Sequence, residues 1–400
     1  MSAIQRPKSA STVFLDQPPS CLEFCPELPD HLVIGTYLLS ETKNAQDEVE
    51  QTKTGSVQLW KLDPKTETLT LVQKISLPYA VFDLHFHPRV KDKFAIASST
   101  GCISLFRVDQ AQPHLEQLWT KSVHEDPSVP ALFFAWTPSK WLSRPEAEGL
   151  AVTFSDGRTT VYGTTEDITK EPSIAEWGSF EARQMIEVWF VALLAIPMAT
   201  TGDAPTSPMA SFMFTGNDFG SLHTRRFDTQ ALDDAQEGGG EPVMNLLLEH
   251  DDRARHHTAG VTAILPLPVP LVDDAPLVLT GSYDEGLRVY HATRRGDVLA
   301  QHGLDGGVWR LQLLYSGGSD SGRQFLVLAS CMHAGTRLVR ITQTQQDGLG
   351  EWAIEVLAEF TEHESMNYAS DTWKGAASSD LLCVSSSFYD RRVCVWRASV

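Results

Sequence analysis

Four segments of this chain carry side chains that can bind or react and that a run of β-strands does not require. They are Glu187-Val188-Trp189, Asp305-Gly306-Gly307-Val308-Trp309-Arg310, Cys331-Met332-His333-Ala334-Gly335, and His363-Glu364-Ser365-Met366-Asn367-Tyr368 with Asp371 and Trp373 behind it. Histidine, cysteine and carboxylate groups are the residue types of proton transfer and nucleophilic attack. Bulky aromatics beside them furnish a binding mouth, although packing between sheets is the competing role for Trp189, Trp309 and Trp373. No enzyme template organises these groups. The chain has no Gly-x-Ser-x-Gly elbow, no Gly-x-x-x-x-Gly-Lys-Ser/Thr loop, no Gly-x-Gly-x-x-Gly and no His-Glu-x-x-His. His256 and His257 are adjacent, point two ways along a strand and make a poor chelate. No cluster has the ligand spacing of a zinc site, so neither a metal nor another cofactor is expected. The residues alone read as a binding protein.

What must position these segments is a repeat. Apolar runs end alike at Val57-Gln58-Leu59-Trp60, Ile103-Ser104-Leu105-Phe106, Thr160-Val161-Tyr162, Arg225-Arg226-Phe227, Leu287-Arg288-Val289-Tyr290, Arg337-Leu338-Val339 and Val393-Cys394-Val395-Trp396. From Trp60 to Trp396 the steps are 46, 56, 65, 63, 49 and 57 residues. Short strands recurring at this period, with turns such as Gly281-Ser282-Tyr283-Asp284 before the endings, predict a seven-bladed WD-repeat β-propeller. The first strands of the blades fall at Cys21–Cys25, Val81–Phe86, Ala131–Trp136, Ile186–Ile196, Val261–Leu265, Val308–Leu314 and Met366–Trp373. Blade seven has three strands before Val400, and Thr12-Val13-Phe14-Leu15 has no other home. A strand at about 11–16 therefore completes the last blade and closes the ring, removing two exposed sheet edges. The whole of 1–400 reads as one propeller, with disordered-type loops at about 40–54, 199–210, 232–242 and 316–323.

Composition limits the partners. Thirty-two basic against fifty-one acidic residues give a net charge of −19. That balance disfavours direct nucleic-acid binding, which needs phosphates neutralised by Lys and Arg, and favours a basic or cationic partner. No apolar run has the eighteen or so residues that cross a bilayer, so no membrane association is expected. Met1 to Ser11 lacks the apolar core of a signal peptide. Cys21, Cys25, Cys102, Cys331, Cys383 and Cys394 include no Cys-x-x-Cys pair, and read as reduced thiols of a cytosolic or nuclear protein.

WD-type blades often carry a polar brace linking a histidine, a hydroxyl, an aspartate and an aromatic. Blade five offers His257, Ser282, Asp284 and Tyr290. Blade seven offers His363, Asp390 and Trp396, with Phe388 in the expected hydroxyl position. Connections entering a first strand, and those between second and third strands, emerge on one propeller face. The four reactive segments are such connections, so the fold is expected to gather His333, His363, Glu187, Arg310 and a ring of Trp and Tyr around one pocket.

From about residue 187 onward the chain resembles the WD-repeat diphthine methylesterases, enzymes of diphthamide biosynthesis. The resemblance rests on Thr215-Gly216-Asn217-Asp218-x-Gly220, His257-Thr258-x-Gly260-Val261, Thr280-Gly281-Ser282-Tyr283-Asp284-Glu285, Gly306-Gly307-Val308-Trp309-Arg310, Cys331-Met332-His333-x-Gly335 and Ser387-Phe388-Tyr389-Asp390. The fifth of these, at its spacing from the Gly-Gly-Val-Trp-Arg string, is the most specific. Where the family tends to have Tyr-Gly-x-Asp-Trp, this chain has Tyr368-Ala369-Ser370-Asp371-Thr372-Trp373.

The resemblance implies hydrolysis of the methyl ester of methylated diphthine on translation elongation factor 2. The freed carboxylate would then pass to the diphthamide amidating enzyme, a second expected partner. The substrate carries a trimethylammonium group, which aromatic faces and nearby carboxylates hold well. Glu187, Trp189, Trp309, Tyr368, Asp371 and Trp373 are the expected binding groups. His333 is the expected general base, acting on water or on Cys331, with His363 the second candidate. Arg310 or the Gly306 and Gly307 amides would stabilise the oxyanion. Two other functions stay open: a non-catalytic scaffold using the same face, and a protein that assists amidation without cleaving the ester.

Overall fold

The computed structural model describes residues 3–43, 47–141, 147–170, 174–198, 209–228, 244–319, 322–344, 348–375 and 380–400. All regular structure among them is β: twenty-nine strands in seven antiparallel sheets. The chain divides into two compact units, Met1–Leu132 with Leu328–Val339 and Val356–Val400, and Phe133–Val327 with Arg340–Glu355.

In the first unit, blade two is Val81–Phe86, Lys93–Ser98, Cys102–Asp109 and His114–Ser122, each paired with the next. Blade seven is Ala369–Thr372, Asp380–Ser387 and Arg392–Ser399, completed by Ser9–Phe14 from the N-terminal end. Thr12 pairs with Cys394 and Val13 with Val393 in antiparallel register. The added strand alternates half-buried and exposed residues, as an outer strand should. Leu15 and Val13 pack with Leu22, Phe24, Trp60 and Val393. In the second unit, blade four is Val188–Pro197, Met209–Asn217, Leu222–Asp228 and Asn245–Asp251, and blade five Val261–Pro266, Leu277–Ser282, Gly286–His291 and Asp297–Gly303. Phe133, Phe190, Phe212, Met213, Phe214, Val261 and Val278 make the core of this unit. Seven sheets with this closing strand are the seven-bladed β-propeller that the repeat predicts.

Two devices recur from blade to blade. The first strand carries a bulge at its second residue, between Pro19 and Cys21, Val81 and Asp83, Val188 and Phe190, and Val261 and Ala263. A bulged residue leaves the ladder and its side chain is re-aimed. Where it is a hydroxyl residue it bonds the next blade: Ser20 donates to the Val81 carbonyl (2.7 Å) and Thr262 to that of Val308 (2.6 Å). In blades two and four the residue is Phe82 or Trp189 instead. The second device is a glycine late in the second strand. A Cβ on Gly35, Gly216 or Gly281 would come within 2.7, 2.7 and 2.5 Å of a side-chain carbon of Val81, Val261 and Val308. Gly281→Ala is therefore expected to destabilise the fold by about 1–3 kcal/mol, read as a lowered denaturation midpoint.

Two sequence expectations need correction. Within 40–54 the described residues lie largely in strands, not in a disordered-type loop: Leu38–Lys43 pairs with the first part of the fifteen-residue strand Val49–Asp63, making a fifth strand in blade one, while 44–46 lie outside the described residues. Alternating polar and β-branched residues (Thr42, Val49, Thr52, Thr54) suit a hairpin, and the acidic composition concealed this. Residues 316–323 likewise lie largely in strands Arg310–Ser319 and Gly322–Ser330. Residues 199–208, and all of 232–242, lie outside the described residues.

Candidate functional site

The braces come first, because they separate structural histidines from available ones. In blade five, His257 Nε2 bonds the Thr280 hydroxyl (2.8 Å), and its Nδ1 lies 3.2 Å from Asp284 and 2.7 Å from Arg288. The hydroxyl of the brace is thus Thr280 and not Ser282. Strand alternation explains the shift: Ser282 instead donates to the Ala259 carbonyl and accepts from the Asp284 amide. Burial raises the pKa of Asp284, but hydrogen bonds from His257 and Arg288 outweigh it and hold the carboxyl well below its usual range.

In blade seven the missing hydroxyl is also two to three residues earlier than expected. His363 Nε2 bonds Ser385 (2.8 Å), which accepts the Trp396 indole N–H (3.0 Å). Phe388 replaces nothing in this brace. His363 is buried, and burial lowers its pKa to about 4. The structure therefore places the second candidate base inside the blade. Asp390 does not bond it; that carboxylate accepts from the Glu364 amide and the Ser365 hydroxyl.

This brace has a pH signature. His363 takes up its proton more readily when unfolded, near 6.5, than when folded, near 4. Stability should thus be full above about pH 6.5 and fall as pH drops toward 4, by on the order of 3 kcal/mol from this residue. A His363→Gln variant should flatten that part of a stability-against-pH curve. An unchanged curve would refute the assignment.

Blade six has no brace at all. The corresponding positions hold Leu304 for His257, Ala329 for Thr280, His333 for Asp284 and Val339 for Tyr290. Leu304, Ala329 and Val339 are buried, whereas His333 is exposed. His333 occupies a turn in which the Cys331 amide donates to the Gly335 carbonyl, Ala334 to Cys331 and Gly335 to Met332. Met332 has a left-handed φ of +43° and Gly335 one of +83°. Cys331 is fully buried, with its thiol 3.6 Å from the Ala329 carbonyl. A buried thiol in apolar surroundings is a poor nucleophile, so Cys331 packs the turn and His333 is the displayed group.

The second unit assembles an aromatic group from three blades. Trp189, aimed by its bulge, lies 5.7 Å from Trp309 and 6.2 Å from Tyr283, and Tyr283 lies 5.9 Å from Trp309 (ring centroids). All three rings are half-buried. Asp218 accepts the Trp189 indole N–H at 2.7 Å, and its amide donates to the Glu187 carbonyl. Asp218 thus sets one carboxylate beside Trp189, and Phe219, 54% exposed, follows in the same turn. Arg310 has its guanidinium 4.6 Å from the Trp309 ring and 4.7 Å from the Phe133 ring, and donates to the Thr262 and Trp309 carbonyls. Gly306 and Gly307 are buried in the link that precedes Val308. The sequence reading named Trp189, Trp309 and Glu187 as candidates; the structure sets two residues it did not name as candidates, Tyr283 and Asp218, beside Trp189. Both stand at the first position of a second-to-third strand turn, a signal readable once the repeats are aligned.

In the first unit Tyr368 packs on Phe388 (5.3 Å), which also meets Tyr37 and Tyr389. Burial, with Tyr389 nearby, raises its pKa to about 12. Asp371 and Trp373, expected to bind substrate, are committed elsewhere. Asp371 is buried, accepts from the Phe24 and Thr372 amides, and pairs with Lys374 at 2.6 Å. Trp373 lies beyond the far end of Ala369–Thr372 from Tyr368 and donates to Asp30 at 2.7 Å. Four intervening strand residues separate its Cα from Tyr368 by roughly 16 Å, so the two rings cannot share a mouth. All six cysteines are free thiols. No helix among the described residues is long and apolar enough to cross a membrane.

Fold, strand endings and braces define a WD-repeat β-propeller. Solved structures agree on the fold: Sqt1 from Chaetomium thermophilum (TM-score 0.54, 13% identity, 96% of this chain and 83% of that one) and Sqt1 from Saccharomyces cerevisiae (TM-score 0.53, 11% identity, 99% and 100%). No family model matches the chain. Within this class the chain is related in sequence to proteins named diphthine methyltransferase. The one from Schizosaccharomyces pombe is 25% identical over 391 residues, 96% of each chain. The human one is 24% identical over 278 residues, 69% of this chain, which spans 51% of the human protein.

Proposed function

We propose that this propeller is an esterase of diphthamide biosynthesis, hydrolysing the methyl ester of methylated diphthine on elongation factor 2. The observation that carries the reading is His333. Blade six holds none of the brace residues, and a histidine stands exposed where the brace aspartate would be. Nothing in propeller architecture calls for an exposed histidine there. In the proposed step His333 takes a proton from water as the oxygen bonds to the ester carbon. The resulting imidazolium returns a proton to the departing methoxide, giving methanol and the carboxylate. The kinship in sequence to diphthine methyltransferases supports the substrate class. So does the Trp189, Tyr283 and Trp309 group with Asp218, whose chemistry suits a quaternary ammonium.

The test incubates purified chain with elongation factor 2 bearing the methylated intermediate. Loss of the mass of one CH2 with release of methanol supports hydrolysis. The relatives' name favours a second reading, methyl transfer onto the factor, which would appear as a mass gain when a methyl donor is supplied. Tight binding without mass change would mark a scaffold. Trp189→Ala should raise KM about tenfold and leave kcat within a factor of about two, as expected when a cation–π contact worth about 1.4 kcal/mol is equal in ground and transition states. Equal losses in kcat and kcat/KM would remove Trp189 from substrate binding.

A further inference from the structure

The turn that displays His333 is held by a buried polar clamp found at no corresponding place in blades two, five and six. At those places a valine of the following first strand (Val81, Val261, Val308) meets a glycine of the preceding second strand (Gly35, Gly216, Gly281). Blade seven has Asn367 in the valine position. The alignment is fixed by hydrogen bonds: the residue before it, Met366, accepts from Phe388 just as Gly260 accepts from Tyr283 and Glu187 from Asp218. Opposite, Ser330 stands in the glycine position.

Asn367 is fully buried, and every polar group of its side chain is used. Oδ1 accepts from the Thr336 hydroxyl at 3.0 Å, and Nδ2 donates to the Ala369 and Ser386 carbonyls at 3.0 and 2.8 Å. Ser370 joins Ser330 (3.0 Å) and Thr336 (2.9 Å) to the network. The Asn367 amide donates to the Met332 carbonyl at 2.9 Å, an isolated antiparallel bridge. One residue therefore grips both sides of His333: Met332 through its backbone and Thr336 through its side chain. Valine packed on glycine would bury the same volume without desolvating an amide, so stability alone does not explain the exchange. Met332 is also the left-handed residue of the turn, a conformation that persists only where its surroundings enforce it.

We propose that Asn367 is a positioning residue, fixing the Met332–Gly335 turn so that the His333 imidazole is presented in one orientation. This rests on the reading of His333 as the base. The test replaces the clamp with the contact used elsewhere, in the double variant S330G/N367V, and measures three things: thermal unfolding, amide exchange at Ala334 and Gly335, and ester cleavage. The expected result is near-unchanged unfolding, faster exchange at the two amides, and kcat lower by about 10² with KM within about twofold, the size of effect that misplacing a reacting group by an ångström produces. Faster exchange with unchanged kcat overturns the positioning role. The variant keeps the backbone bond from residue 367 to Met332, so unchanged exchange overturns the claim that the Asn367 side chain holds the turn. If the double variant does not fold, S370A, which removes one partner, takes its place under the same criteria. Should the unaltered chain cleave no ester, the functional reading fails, and the exchange measurement still decides whether Asn367 holds the turn.

Discussion

His333→Ala is expected to lower ester cleavage by about 10²–10⁴, the usual contribution of a positioned general base, with thermal unfolding unchanged. The expectation of an unchanged fold has a structural source. His333 is exposed on a turn held by backbone hydrogen bonds among Cys331, Met332, Ala334 and Gly335 and by one from the Arg337 guanidinium to the Ala334 carbonyl. Removing its imidazole leaves those bonds intact. The contrast with His363 makes the experiment specific. His363→Ala should also reduce activity, but only through the fold, because it strips Ser385, which also accepts the Trp396 indole N–H, of a buried partner. Its unfolding midpoint should fall with its activity, by an amount consistent with 1–3 kcal/mol for a broken buried hydrogen bond plus a cavity. A His333→Ala protein that folds normally and cleaves at the original rate would remove His333 from the reaction.

Deleting residues 1–16 should lower stability by roughly 3 kcal/mol or more, the combined loss of a buried leucine and several cross-strand hydrogen bonds. Leu15 is buried, and Ser9, Ser11, Thr12, Val13 and Phe14 pair with the last strand of blade seven. Glu362 would lose its bonds from the Ser9 amide and hydroxyl, and the Arg392–Ser399 strand would be left as an open edge. Thermal unfolding measures the first effect and light scattering the second. An unfolding curve that superposes on that of the full chain would sink the claim that this strand closes blade seven.

Much of the architecture was legible because it is written in short-range chemistry. Strands that are buried on both faces must be apolar along their length, and strands at the outside must alternate. The recurrent endings at Trp60, Phe106, Tyr162, Phe227, Tyr290, Val339 and Trp396 therefore counted the blades. The homeless Thr12–Leu15 run identified the closing strand. The pairing of Leu38–Lys43 with Val49–Thr54 was missed because charge and polarity outweighed the β-branched residues, and an exposed strand pair needs no apolar face. The brace hydroxyls were misread by two or three positions, since a WD-type pattern does not fix which residue of a strand points at the histidine. Alternation does, and only the register of Leu277–Ser282 and Asp380–Ser387 shows that Thr280 and Ser385 face inward.

The sequence by itself determined the β class, the number of blades, and the excess of Trp, His and carboxylate residues at connections that no propeller needs. These follow from composition and period, which depend on each residue's own hydrophobicity and conformational preference. Tertiary structure alone decided which of those residues are available. It buried His363 and Asp371 among partners distant in sequence, closed Cys331 inside its own turn, drew Trp373 to Asp30, and joined Tyr283 and Asp218 to Trp189. It left His333 exposed on a turn gripped by Asn367. Burial and hydrogen-bond partnership are properties of pairs separated by tens to hundreds of residues, and a period read along the chain does not contain them.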